Sequence, residues 1–367
     1  MNKYRKEVNM LRKTFGILVA LTLSLTVGGW NVASAKAAQC TPQQGQLFID
    51  SGQYKKAIQE FTCLINAQPT EVEGYRGRIE AELLLGQYSN ALADNARITA
   101  YVLPVHPDAK NTIFASYSDR LTVNPNDIVA LTGASFIRWA SFDYANAIHL
   151  LEQLLAVQPN NPYGNLFRGS TLLLHHSNKG NGVADLDYAI TLAPQSADVR
   201  FMVADAYTYG LPDPQRAFAE ATLALTWGLD TPRIHAILAV SYAAFGNPLA
   251  TAAEIQKHIN LVTTEFVGTS PINIGTSLHL DLVPGRTFDI PVTVSAGETL
   301  SMMTSSHDFY DTILVLIAPD GTPVLGSDDY KAYFAGFNWI ATQPGTYHLL
   351  VTSFESIDTG ELAVTLN

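Results

Sequence analysis

The chain has 367 residues, 47% of them hydrophobic, which suffices for sizeable cores in two or three domains and excludes a disordered polymer. Its formal charge is −11; residues 1–35 hold five basic residues and one acid, so the remainder carries 17 Lys+Arg against 32 Asp+Glu, a net of −15. A surface this acidic repels phosphate backbones and anionic lipid at long range, so nucleic acid is not expected as a partner.

At the start, Lys3, Arg5, Lys6, Arg12 and Lys13 precede an apolar run from Phe15 to Val27, followed by Ala33-Ser34-Ala35 and Ala35-Lys36-Ala37. That order predicts a secretory signal peptide over residues 1–37 and a mature chain that begins near Lys36 or Ala38. The apolar run is short for a bilayer span, so no stable membrane insertion is expected once it is removed, with an uncleaved N-terminal anchor as the alternative. Gln39 before Cys40 departs from the small residue of a lipoprotein cleavage site. Export, to a periplasm or the outside medium, places the two cysteines, Cys40 and Cys63, where disulfides persist.

Shifted by 34 residues, Gly52-Gln53-Tyr54-Lys55-Lys56-Ala57 aligns with Gly86-Gln87-Tyr88-Ser89-Asn90-Ala91. A period of that length marks a helix-turn-helix array. With Phe61, Leu64 and Pro69 downstream of Ala57, the spacing resembles the tetratricopeptide repeat family: glycine reverses the chain, tyrosine fills the turn, alanine lets the helices approach, and proline stops the second helix. The pattern recurs at Phe142-Asp143-Tyr144-Ala145-Asn146-Ala147 with Leu151, Leu154 and Pro159, after a first helix expected from Asp127 to Ala140. A fourth unit spans about 162–194 with a loose polar turn from His175 to Gly182, and degenerate hairpins follow at about 197–227 and 231–263. Tyr88 to Tyr144 is 56 residues, one period plus 22, which predicts an extra helix from about Pro107 to Val123. Five hairpins plus this insert are expected over residues 38–265. In the first hairpin Cys40 and Cys63 fall at the same open end, so one bridge is expected, worth about 3 kcal/mol in the loop-entropy account. Two independent buried thiols are the alternative.

After Glu265 helical periodicity stops, residues 266–272 read as a linker, and short alternating segments begin. Strands are expected at Ser277–Leu282, Thr287–Val294, Thr299–Thr304, Thr312–Ile317, Pro323–Leu325, Ala335–Ile340, Thr346–Thr352 and Glu361–Leu366, which suggests an antiparallel β-sandwich, jelly-roll-like, over residues 273–367. The order Asp308-Phe309-Tyr310-Asp311-Thr312, the turn Asp320-Gly321, then Pro344-Gly345-Thr346-Tyr347 and Gly360-Glu361-Leu362 resembles the bacterial pre-peptidase C-terminal domain family. That resemblance implies an exported accessory module, and no peptidase domain is evident beside it. Pairing Thr312–Ile317 with the next strand gathers Asp308, Asp311, Asp328 and Asp329, a set of carboxylates suited to Ca²⁺. The bland alternative is a solvated acidic rim partly neutralised by Lys331.

No nucleophile elbow, phosphate loop, His-Glu-x-x-His helix or Cys-x-x-Cys pair follows the signal segment, so no catalytic residue is nominated. His175 and His176, adjacent on a helix, do not share a face and read as loop histidines. First helices line the inner surface of a repeat array, so exposed side chains there are the natural contacts. Arg76 with Glu80, Phe136 with Trp139, and Tyr207 with Tyr209 are the candidates, the aromatics doubling as candidates for inter-repeat core. The sequence therefore predicts a multidomain protein, an α-helical solenoid followed by a separate all-β sandwich. The expected function is an exported, non-enzymatic scaffold or adaptor for a peptide or protein partner. A carbohydrate- or matrix-binding sandwich with a helical spacer is the second hypothesis, and a hydrolase without recognisable motifs the third.

Overall fold

The computed structural model describes residues 40–175, 179–306, 311–327, 335–354 and 360–367. The expected signal segment and Asp308, Asp328, Asp329, Lys331 and His176 lie outside the described residues. Asp311 lies within them, and among the described residues no group of three or more His, Cys, Asp or Glu side chains gathers to hold a metal ion.

Proline and short polar side chains set where the helices begin. Thr41, Asn161, Asp213, Thr231 and Asn247 each accept a hydrogen bond from a backbone N–H in the first turn, and each is followed by a proline that has no N–H to leave unpaired. Thirteen α-helices result among the described residues: α1 (Pro42–Asp50), α2 (Tyr54–Ala67), α3 (Val72–Leu85), α4 (Tyr88–Arg97), α5 (Ala109–Val123), α6 (Ile128–Trp139), α7 (Tyr144–Val157), α8 (Pro162–Leu174), α9 (Lys179–Leu192), α10 (Ala197–Asp205), α11 (Pro214–Thr226), α12 (Pro232–Ala244) and α13 (Pro248–Val262). π-Helical turns extend α4 over Ile98–Val102 and α10 over Ala206–Gly210. The arrangement is tetratricopeptide-like, with six hairpins around the single helix α5. The expected count of five is one short, although each of the six pairs falls where a unit was read in the sequence. Cys40 and Cys63 form a disulfide across the open end of the first hairpin, their Cα atoms 6.1 Å apart.

The insert α5 takes the place of a second helix in the stack. Phe61 of α2 lies against Gly77 of α3, where a Cβ would stand 2.1 Å from its ring; sixteen residues likewise separate Tyr117 of α5 from Gly133 of α6, where a Cβ would stand 2.2 Å from the ring. Both glycines admit a ring where any side chain would clash. With α5 packed on α6 in this way, α4 is released from the stack and turns toward later hairpins, as its contacts below show.

Nine strands follow among the described residues: β1 (Glu265–Gly268), β2 (Thr276–Leu282), β3 (Arg286–Val294), β4 (Thr299–Ser306), β5 (Thr312–Ile317), β6 (Pro323–Ser327), β7 (Gly336–Ile340), β8 (Gly345–Ser353) and β9 (Gly360–Leu366). They make two open sheets, ordered β1-β3-β8-β5-β6 and β2-β9-β4-β7, antiparallel except where β1 runs parallel to β3. The expected linker thus opens with a strand: Phe266 and Val267 pair with Thr287 and Phe288. Alternate residues of both sheets, among them Ile290, Leu314, Leu349, Leu300, Val364 and Leu366, fill one core between them.

The sandwich is not a detached module. Strand β5 is buried at every position. Leu314 and Leu316 enter the sandwich core, whereas Ile313, Val315 and Ile317 point the other way and join Leu350 and Phe354 against Ala236, Ala239, Ala252, Ile255 and Ile259 of the last hairpin. His258 ties this seam, its Nδ1 2.9 Å from the Pro232 carbonyl and its Nε2 2.8 Å from that of Phe354. Beside it His235 lies between two carboxylates, Nδ1 2.6 Å from Glu254 and Nε2 2.9 Å from Asp230.

Two predictions follow from the seam. A Cβ on Gly326 of β6 would stand 2.8 Å from Ile255 Cδ1 and 3.2 Å from Ala252 Cα, so Gly326→Leu should destabilise the chain by about 1–3 kcal/mol in denaturant unfolding. Burial works to lower the His235 pKa, but Glu254 and Asp230 outweigh it and raise it above 6.5; burial works to raise Glu254, and His235 and Lys257 outweigh that and lower it below 4.5. The His235 contribution is therefore complete below pH 6.5 and lost as pH rises through its raised value, while that of Glu254 is complete above pH 4.5 and lost on acidification. Melting temperature should decline as pH is raised above 6.5, and His235→Gln should flatten that decline.

Candidate functional site

The six side chains expected on an exposed inner face have different fates. Glu80 of α3 is 1% exposed. Arg76 donates to it at 3.0 Å and Arg120 of α5 at 3.4 Å, while Arg76 also binds Glu73 at 2.9 Å and Arg120 also binds Asp127 at 3.0 Å. Burial drives the Glu80 pKa upward while the two guanidiniums draw it back, and the net direction is up. This pair is a clamp between α3 and the insert rather than an open surface. The sequence could not show that, because the two arginines that meet at Glu80 lie 44 residues apart.

Phe136 is likewise buried, and Trp139 is half-buried against it at 6.1 Å between ring centroids. The reason is α4. Tyr88, its first residue, places its ring 5.9 Å from Tyr163 and 5.8 Å from Phe167 of α8; Phe167 in turn meets Phe136 at 6.0 Å and Trp139 at 5.5 Å. One residue on, the Ser89 N–H and hydroxyl both donate to Asp198 of α10, at 2.8 and 2.6 Å. At α8 and the start of α10 the chain's own second hairpin therefore packs over the first helices.

Arginine clamps, which the sequence reading missed, recur within hairpins. Arg78 grips Asp94 through two hydrogen bonds of 2.6 and 2.7 Å, Arg168 grips Asp185 through two of 2.7 Å, and Arg200 meets Glu220 at 2.7 Å. The available signal was an arginine seven residues into a first helix with an aspartate 16 or 17 residues later, true of both α3 and α8. Under the first clamp Glu82 has its pKa pushed up to about 8, by burial first and then by Asp94.

Tyr207 and Tyr209 lie at the end of the α10 extension, where the hairpin turns. Tyr209 is partly exposed, with Arg233 4.7 Å over its ring. Tyr207 is buried beneath Arg216, 4.4 Å over its ring, and Arg216 is held by Asp187. Beside it a cleft of about 560 Å³ opens between consecutive turns, lined by Tyr207, Leu211, Pro212, Pro214, Ala244 and Phe245. That volume suits a ligand group, and the walls are mostly apolar. Phe245 is 46% exposed and rests edge-on against Phe218 at 5.7 Å. Two polar features break the apolar wall. The Tyr207 hydroxyl is buried with no hydrogen-bond partner among the described residues, and Asp213 at the rim caps α11 through the Arg216 N–H at 3.1 Å with no cation paired to it among those residues.

With this geometry, comparison with known proteins gives likeness of parts. The helical half is similar to a tetratricopeptide repeat protein from Parabacteroides merdae (16% identity, 61% of this chain and 78% of the other, TM-score 0.37) and to a thermophilic one from Thermus thermophilus (20%, 50% and 91%, 0.37). The strand half is similar to the pre-peptidase C-terminal domain of a Bacillus anthracis collagenase (15%, 28% and 95%, 0.24). No family model and no curated protein matches the chain. Among the described residues no helix is long and apolar enough to cross a membrane.

The clamp at Glu80 makes a separable prediction. Arg76→Ala should destabilise the chain by about 3 kcal/mol, since it strips a buried carboxylate of its closer cation, and Glu80→Gln should cost clearly less; urea unfolding of both variants measures the difference.

Proposed function

We propose that the chain is an extracytoplasmic scaffold that holds a protein partner at the turn edge of its helical array, with the β-sandwich as an accessory that braces the last hairpin. One observation carries this: an apolar cleft opens between consecutive turns, lined by Leu211, Pro212, Pro214 and the exposed ring of Phe245. Rigid prolines and an aromatic ring give contact area at small loss of freedom on binding. The Cys40–Cys63 bridge supports an oxidising compartment, and with it export. No catalytic step is assigned.

A photo-activated cross-linker placed at Gln215 on the cleft rim, and separately at Ile340 on the sandwich, tests the proposal in native extract. A labelled polypeptide is expected from Gln215, with yield reduced about tenfold by Phe245→Ala, as for an anchor residue. Labelling from Ile340 and none from Gln215 would transfer recognition to the sandwich.

A further inference from the structure

Hairpins in this array turn through a left-handed residue two positions before the second helix. Glycine fills that position at Gly52 (φ 70°), Gly86 (φ 82°) and Gly246 (φ 70°). In the third hairpin the residue is Phe142, at φ 59°, and no other non-glycine residue has a positive φ among the described residues. A phenylalanine in this conformation is strained where glycine is not, and strained residues of this kind cluster at functional sites. The ring gains little in exchange, since Phe142 is 80% exposed.

What the ring does have is company. Phe142 stands edge-on to Tyr144 at 6.2 Å, and Tyr144 edge-on to His175 of the next hairpin at 6.3 Å. The three rings step across two consecutive turns, on the same edge of the array as the cleft at Phe245. Tyr144 also feels α10, the helix that leads into that cleft: burial first, and then the charge of Asp205, raises its hydroxyl pKa.

We infer that Phe142, with Tyr144 and His175, is a second contact point on the turn edge, an aromatic platform on which an extended, arginine- or lysine-bearing segment of a partner protein stacks. The inference rests on the function proposed above and adds the chemistry of the partner. Ring faces attract cations, and guanidinium groups stack on them. The chain carries a net charge of −11, and Asp213 at the cleft rim offers a carboxylate without a paired cation among the described residues. Two cations of α5 and α6 are already engaged: Arg138 lies 3.5 Å over the Phe114 ring and 3.4 Å from Asp143, and Lys110 donates to the Ala140 carbonyl at 3.1 Å.

Stability and binding should move in opposite directions on one substitution. Phe142→Gly relieves the strained turn, so the melting temperature of the full chain should rise by roughly 1–3 °C. The probe for binding is a displayed library of random decapeptides selected on the full chain. Enriched sequences should carry Lys or Arg, and they should bind Phe142→Gly at least tenfold more weakly than the parent. A Phe142→Leu variant, which retains the strain and lacks the ring, should bind as weakly as Phe142→Gly. Enrichment of acidic or uncharged sequences, equal binding to Phe142→Gly, or a lowered melting temperature for that variant would each overturn the inference. Peptides lost on Phe245→Ala and indifferent to Phe142→Gly would retain the cleft and remove the platform; peptides indifferent to both, or no enrichment at all, would remove both.

Discussion

The insertion of Tyr88 between Tyr163 and Phe167 decides how the helical half presents itself. A repeat array stacked in register leaves its first helices facing an open concavity; here a helix from the second hairpin reaches the fourth and fifth, and aromatic packing with the Ser89–Asp198 hydrogen bonds holds it there. This is possible because α5 supplies the packing that α4 would have given to α6, down to a ring against a glycine. Phe142 and Phe245, both at turns, are among the exposed aromatic residues, and both candidate contact points lie there.

A second constraint acts at the other end. Strand β5 has no solvent face, so its sheet needs cover on the side away from the sandwich core, and the final hairpin provides it. Polar groups at this boundary are matched as closely as the apolar ones: both nitrogens of His258 and both of His235 meet acceptors. Such groups make a packed boundary specific in a way that alanine and isoleucine contacts alone do not.

Much of the architecture was legible in the chain. The 34-residue shift between the Gly-Gln-Tyr segments, the 22-residue excess before Tyr144 and the cysteine spacing correspond to hairpins, insert and disulfide, because each is a local consequence of turn chemistry or helix packing. What the sequence concealed is long-range. Glu80 looks like a surface residue on a helical wheel until α5 arrives over it, and nothing local announces that arrival. Two clues were present and passed over: Thr312–Ile317 is apolar at five consecutive positions, more than a half-exposed strand requires, and Phe142 stands where the pattern asks for glycine. The linker reading of 266–272 failed for a similar reason, since a short strand parallel to β3 gains its partner only after the sheet exists.

The two-sided burial of β5 also bears on how such a chain can be recombined. A sandwich cut free at its first strand would carry Ile313, Val315, Ile317, Leu350 and Phe354 as a bare apolar strip, and grafted onto an unrelated neighbour it would need an equivalent lid of small and branched side chains. The transferable unit is therefore longer than the sandwich. It begins near Pro232, where the last hairpin starts, so that inheritance of the strands entails inheritance of the two helices that roof them.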